Sequence, residues 1–154
     1  MLSFKDFFLS ESSEKLLQNW IKEDYKNKPL CIYGKNGIGK SCLANLILSK
    51  YKIININTDF IKSNKNINDY LDLSLGKKDI CMMFKKDFNS YKSLVFDNLD
   101  DIFKYDKNLF KSCINWITNN SCTEKFKNNP IIFILSDNNI NKKHFLPIIN
   151  LSLL

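Results

Sequence analysis

Residues 34–41 read Gly34-Lys35-Asn36-Gly37-Ile38-Gly39-Lys40-Ser41, the pattern G-x-x-x-x-G-K-S. A bound polyphosphate explains why these residue types stand at this spacing. Glycines allow positive φ and let backbone N–H groups approach phosphate oxygens closely. The lysine reaches the β- and γ-phosphates, and the serine hydroxyl can hold Mg²⁺. A helix opening directly after the loop turns its positive end toward the anion. The expected nucleotide-binding residues are therefore Gly34, Lys35, Asn36, Gly37, Ile38, Gly39, Lys40, Ser41 and Cys42.

Such a loop needs a buried strand before it and a helix after it. Pro29 leads into the apolar run Leu30-Cys31-Ile32-Tyr33, which reads as the strand. Leu43, Ala44, Leu46, Ile47 and Leu48 then form one apolar flank of a helix reaching about Lys50. Without a ligand the same residues would be a glycine-rich strand–helix turn, but both flanks favour nucleotide binding.

Two further segments fit the same site. Leu94-Val95-Phe96 is apolar and ends at Asp97, an arrangement that delivers a carboxylate for Mg²⁺ to the carboxyl end of a sheet. Ser41 and Asp97 are thus the expected metal ligands. Residue 98, where many ATPases with such a loop carry a glutamate as general base for the attacking water, is Asn98. An amide can orient a water but cannot take its proton at neutral pH. Asp100 and Asp101 follow and read as capping or solvated residues, with compensation for the missing base as the alternative. The strand Ile131–Leu135 ends in Ser136, where a polar side chain can contact the γ-phosphate or the water. Asn98 and Ser136 are the candidate catalytic positions.

Bulk composition narrows the class. A chain of 154 residues, 44% hydrophobic and 25% charged, suits one soluble domain with a real core. The N-terminus lacks a signal-peptide layout, and no apolar run approaches a membrane span. The five cysteines are scattered, with no C-x-x-C, and His144 is the single histidine, which argues against zinc. Cys31 and Cys42 are expected to pack as small apolar residues. An intracellular, reducing compartment fits this usage. The net charge of +7 suits a polyanionic partner such as nucleic acid; equally, it reflects a compositional bias in which lysine supplies every basic residue.

Periodicity sets the order of elements. Ser10–Tyr25 reads as a helix capped by Ser12 or Ser13, with Leu16, Leu17, Trp20 and Ile21 on one face. Lys52–Asn57 reads as a second strand. Residues 66–90 suggest two short helices about Gly76, and Asp106–Asn119 a longer one. Asn119–Asn129 reads as a loop. His144–Leu146 reads as the tail of a helix stopped by Pro147, and Ile148–Leu154 as a last strand. The expectation is a single α/β domain over residues 1–154, with a lead-in helix in 1–28 and a P-loop core in 29–154. Its fold would be a P-loop NTPase three-layer sandwich on a five-stranded parallel sheet.

In this order the segments resemble the AAA+ ATPases, and within them the replication factor C clamp loaders, above all the large subunit. Phe4-Lys5-Asp6-Phe7 and Lys15–Trp20 look like the lead-in helix of that family. Asn57-Thr58-Asp59 is similar to its Asn-x-Ser-Asp after strand two, one residue short. Val95-Phe96-Asp97-Asn98-Leu99-Asp100 resembles its Asp-Glu-Val-Asp box with the glutamate replaced. Pro130–Asn139 resembles its sensor 1 segment, with Ser136 where asparagine is usual.

The resemblance implies ATP and Mg²⁺ as cofactors. It also implies other AAA+ clamp-loader subunits, a sliding clamp and DNA as partners, and a nuclear or cytoplasmic replication site. The departures matter. The adenine-holding aromatic-basic-Pro opening is missing, the helical lid with its sensor 2 arginine does not follow, and the chain contains no arginine. The implied function is an ATP-binding, clamp-loader-like subunit with weak or absent hydrolysis; the alternative is a non-catalytic AAA+ scaffold.

Overall fold

The computed structural model describes residues 7, 9–22, 28–63, 67–76, 92–120, 129–136 and 142–151. Five consecutive apolar side chains leave the segment after Pro130 with no polar face, and it forms the strand buried on both sides. This strand, β4 (Ile131–Ser136), lies between β1 (Leu30–Gly34) and β3 (Lys92–Phe96), with β2 (Lys52–Ile56) beyond β3. All pairings are parallel. The register aligns Leu30 with Ile132 and Gly34 with Ser136 on one side, and Leu94 with Ile131 and Phe96 with Phe133 on the other.

Strand alternation sorts the core into two layers. Leu30, Val95, Ile132 and Ile134 face α1 (Glu11–Lys22) and α2 (Lys40–Ile47), meeting Leu17, Trp20, Leu43, Ala44 and Ile47. Cys31, Leu94, Phe96, Phe133 and Leu135 face the opposite layer. That layer contains α3 (Thr58–Ser63), α4 (Ile67–Gly76), α5 (Leu99–Tyr105), α6 (Lys107–Asn120) and α7 (Leu146–Leu151). Phe96 and Phe133 pack with ring centroids 5.3 Å apart at its centre. The outcome is a three-layer α/β sandwich.

Local chemistry marks where helices start. Ser10 caps α1, its Oγ accepting the Ser13 N–H at 3.2 Å, in place of the expected Ser12 or Ser13. Asn57 caps α3 through the Phe60 N–H at 2.9 Å. Asp106 both ends α5 and caps α6, accepting the Asn108 and Leu109 amides at 2.9 and 3.0 Å. The Trp20 indole N–H donates to the Lys28 carbonyl at 2.8 Å, tying α1 to the chain entering β1.

The sheet has four strands among the described residues, against the five expected. The segment read as a fifth strand is instead α7 through Leu151; residues 152–154 lie outside the described residues. Phe145, Ile148 and Ile149 recur at helical spacing and pack on the core, which a strand would split between two faces. Pro147 does not stop a helix, since it stands in the first turn of α7, where amides have no intrahelical acceptor. The helices α3 and α5 were not expected, because each is short and follows a strand directly. The second short helix expected before residue 90, the end of α1 near Tyr25, residues 4–6 and Asp137–Asn139 lie outside the described residues, as does most of the 119–129 loop. No helix among the described residues is long and apolar enough to cross a membrane.

Phe133 is fully buried and pairs with Cys31 of β1 on one side and Phe96 of β3 on the other. Phe133→Ala is expected to cost about 3–5 kcal/mol, read as a lower urea midpoint.

Candidate nucleotide-binding site

β1 ends at Gly34, and the loop that follows runs directly into α2 at Lys40. Gly39 stands at the junction with φ 89° and ψ 19°, a left-handed conformation that other residues resist. A Cβ there would also lie 3.3 Å from the Phe7 ring, so the position is restricted twice. Lys40 is only 8% exposed. Its ammonium donates to the Gly34 and Lys35 carbonyls, each at 2.8 Å, so its charge sits within the loop it closes.

The serine of the loop meets the acid of the third strand. Ser41 Oγ donates to the Asp97 carboxylate, 3.0 Å from Oδ2 and 3.2 Å from Oδ1. Asp97 is placed by its own amide, which donates to the Ile56 carbonyl at 3.0 Å and prolongs the β2–β3 pairing by one step. The two side chains come from positions 56 residues apart. They present only oxygen, a donor set suited to Mg²⁺, which commonly takes one or two protein oxygens and completes its shell with phosphate and water. No group of three or more histidine, cysteine or acidic residues that could hold a metal occurs among the described residues, so a cage independent of phosphate is not built here. The residues present fit nucleotide with Mg²⁺. The Gly34–Cys42 backbone and Lys40 would hold phosphate, Ser41 and Asp97 the ion, and the ion would neutralise phosphate charge.

Ser136 ends β4 directly beside Gly34. It follows Ile134 by two residues and so falls on the face covered by α2, the helix that begins with the loop's lysine. Asn98 is exposed and adopts φ 53° and ψ 57°, the one non-glycine residue with positive φ among the described residues. It precedes α5 and makes no side-chain cap. Asparagine enters this region far more readily than most residues. An asparagine therefore suits the backbone at that place.

Asp100 departs from the expectation of a solvated or capping residue. It is 8% exposed, and its Oδ2 accepts the Ser136 N–H at 2.8 Å. Nothing in the local pattern signals this, since the partner stands on a different strand. The cysteines divide too. Cys31 is buried as expected, and burial first, then the Asp100 charge, push its thiol up to about 12. Burial likewise raises Cys113 to about 12. Cys42 is exposed rather than packed, one residue past Ser41.

Two outcomes test this geometry. Asn98→Glu should lower stability by about 1–2 kcal/mol through its left-handed backbone, while Asn98→Gly stays near wild type; urea denaturation reads both. Iodoacetamide with peptide mapping should modify Cys42 in the native protein and reach Cys31 and Cys113 only on unfolding.

Comparison with known proteins fits the same reading. Curated proteins give no significant match. The family model described as ATPase family associated with various cellular activities (AAA) matches residues 30–144, from the first residue of β1 to just before α7. That span takes in all four described strands with the loop, Asp97 and Ser136, and the chain belongs to the AAA ATPase family.

Proposed function

We propose that this chain is an ATP-binding, clamp-loader-like AAA+ subunit of DNA replication or repair, of the replication factor C type, with slow or no hydrolysis. The observation that carries it is the meeting of Lys40, Ser41 and Asp97 at the loop, with Asn98 where a base is expected. Support for the clamp-loader type comes from the resemblance of the lead-in, box and sensor 1 segments to that family. ATP–Mg²⁺ is the ligand. The partners are other AAA+ clamp-loader subunits, a sliding clamp and DNA, at a nuclear or cytoplasmic replication site.

The roles of the side chains follow from their chemistry. Lys40 exchanges its carbonyl partners for phosphate oxygens. Ser41 and Asp97 exchange their mutual hydrogen bond for the ion. Ser136 lies where the terminal phosphate would be sensed. Asn98 can orient water but leaves its proton in place. Binding then serves as a switch, through different affinity for two conformations. A second reading, a scaffold that needs no turnover, is favoured by the same Asn98 and by its backbone, which suits asparagine better than glutamate.

Equilibrium binding of a fluorescent ATP analogue tests the proposal. Wild type should bind in a Mg²⁺-dependent way, and Lys40→Ala should weaken binding about ten- to hundredfold, the worth of one charge-assisted hydrogen bond. Absence of Mg²⁺-dependent binding by wild type would sink the nucleotide reading. Steady-state turnover at ordinary ATPase rates of about 1 s⁻¹ or more would overturn the assignment of Asn98. Affinity capture should recover clamp-loader subunits or a sliding clamp, and capture of neither would refute the clamp-loader assignment.

A further inference from the structure

We propose that Asp100 is a positioning residue that fastens the end of β4 to the nucleotide site and so sets Ser136 where it can read the terminal phosphate. This rests on the nucleotide-binding reading above.

β3 ends at Phe96, paired with Phe133, so β4 runs on to Ser136 beyond the last strand residue of β3. The Leu94 N–H bonds the Pro130 carbonyl, and parallel alternation then turns the Ser136 amide toward the side that β3 has left. A backbone N–H in that place needs a partner. Asp100 supplies it, bridging 36 residues of sequence at 2.8 Å.

The carboxylate is not a surface charge that happens to be near. Asp100 is 8% exposed, and its other oxygen, Oδ1, is buried with no hydrogen-bond partner among the described residues. Behind burial, its charge helps to raise the Cys31 thiol, and it partly offsets the depression of His144 by burial and by Lys142 and Lys107. A buried carboxylate with one oxygen unpaired is costly to fold. What that cost secures is a fixed distance between the turn carrying Asp97 and the strand end carrying Ser136. On its other side Ser136 is in register with Gly34, so the strand end is held by the ladder toward the loop and by the carboxylate toward the turn carrying Asp97. Asp100 acts through the Ser136 backbone and touches no ligand.

The affinity of the full chain for ATP and for ADP, each with Mg²⁺, tests the idea in wild type, Asp100→Ala, Asp100→Asn and Ser136→Ala. Asp100→Leu, which keeps volume without an acceptor, replaces the alanine variant if that variant fails to fold. Wild type should prefer ATP. Loss of the acceptor should narrow the ATP-over-ADP preference about tenfold while ADP affinity stays within about twofold. Asparagine, whose carbonyl oxygen can still accept the amide, should retain most of the preference. Ser136→Ala should narrow it as well, and adding it to the acceptor loss should bring little more.

Equal loss for both nucleotides, no change in the preference, or asparagine failing like alanine would each overturn the role. If wild type binds neither nucleotide, the underlying reading fails instead. Hydrogen exchange at the Ser136 amide then decides the anchor separately. Exchange at least about tenfold faster without the acceptor supports the bond, and equal rates refute it.

Discussion

Everything at the carboxyl edge of the sheet depends on β4 lying between β1 and β3. The strands that end in the loop and in Asp97 are not neighbours. They are brought to a common edge because each pairs with one side of the same apolar strand. The register then does the fine placement. It stops β1 level with Ser136 and β3 level with Phe133, leaving room for Asp97 to turn toward Ser41. Two hydrophobic layers clamp the strand from both faces, so it cannot shift by one residue without moving Ile132 and Ile134 to the wrong layer.

On this frame the polar groups of the site satisfy one another. The Lys40 ammonium is hydrogen-bonded by two carbonyls, and the Asp97 carboxylate by the Ser41 hydroxyl. A nucleotide and its ion would therefore compete with bonds already made, and affinity would measure the difference between two sets of partners. The arrangement keeps a buried ammonium from standing unsolvated, which would be far more costly than the bonds it exchanges.

How much could be read beforehand follows from how local each signal is. The loop, its flanking strand and helix, and Asp97 at a strand end were legible because their residue types stand within a few positions of one another. Ser136 was legible as a position for the same reason. Asp100 was not, since its role is created by Ser136, a residue brought beside it only by the sheet. The tail was misread because Ile148, Ile149 and Leu151 suit either a strand or a helix over so short a run. Phe103, Phe110 and Phe145 settle it by offering a ring cluster with edge-on contacts of 5.3 to 5.8 Å, onto which one helical face fits. Cys42 shows a similar limit. Next to buried Leu43 it looked apolar, yet the helix turns it outward.

The central place of β4 also governs the order in which the molecule can be made. As the chain leaves the ribosome, β1, β2 and β3 emerge first, and β1 has no partner among the described strands until residues 131–136 follow. The β2–β3 pair can form early, but the loop and Asp97 stay apart until β4 arrives and slots between their strands. Parallel pairing across such separations is slow, and it exposes apolar edges while it waits. The site is thus completed only once residues 131–136 have been made, and a chain stalled before residue 131 would carry the loop's whole sequence without a site.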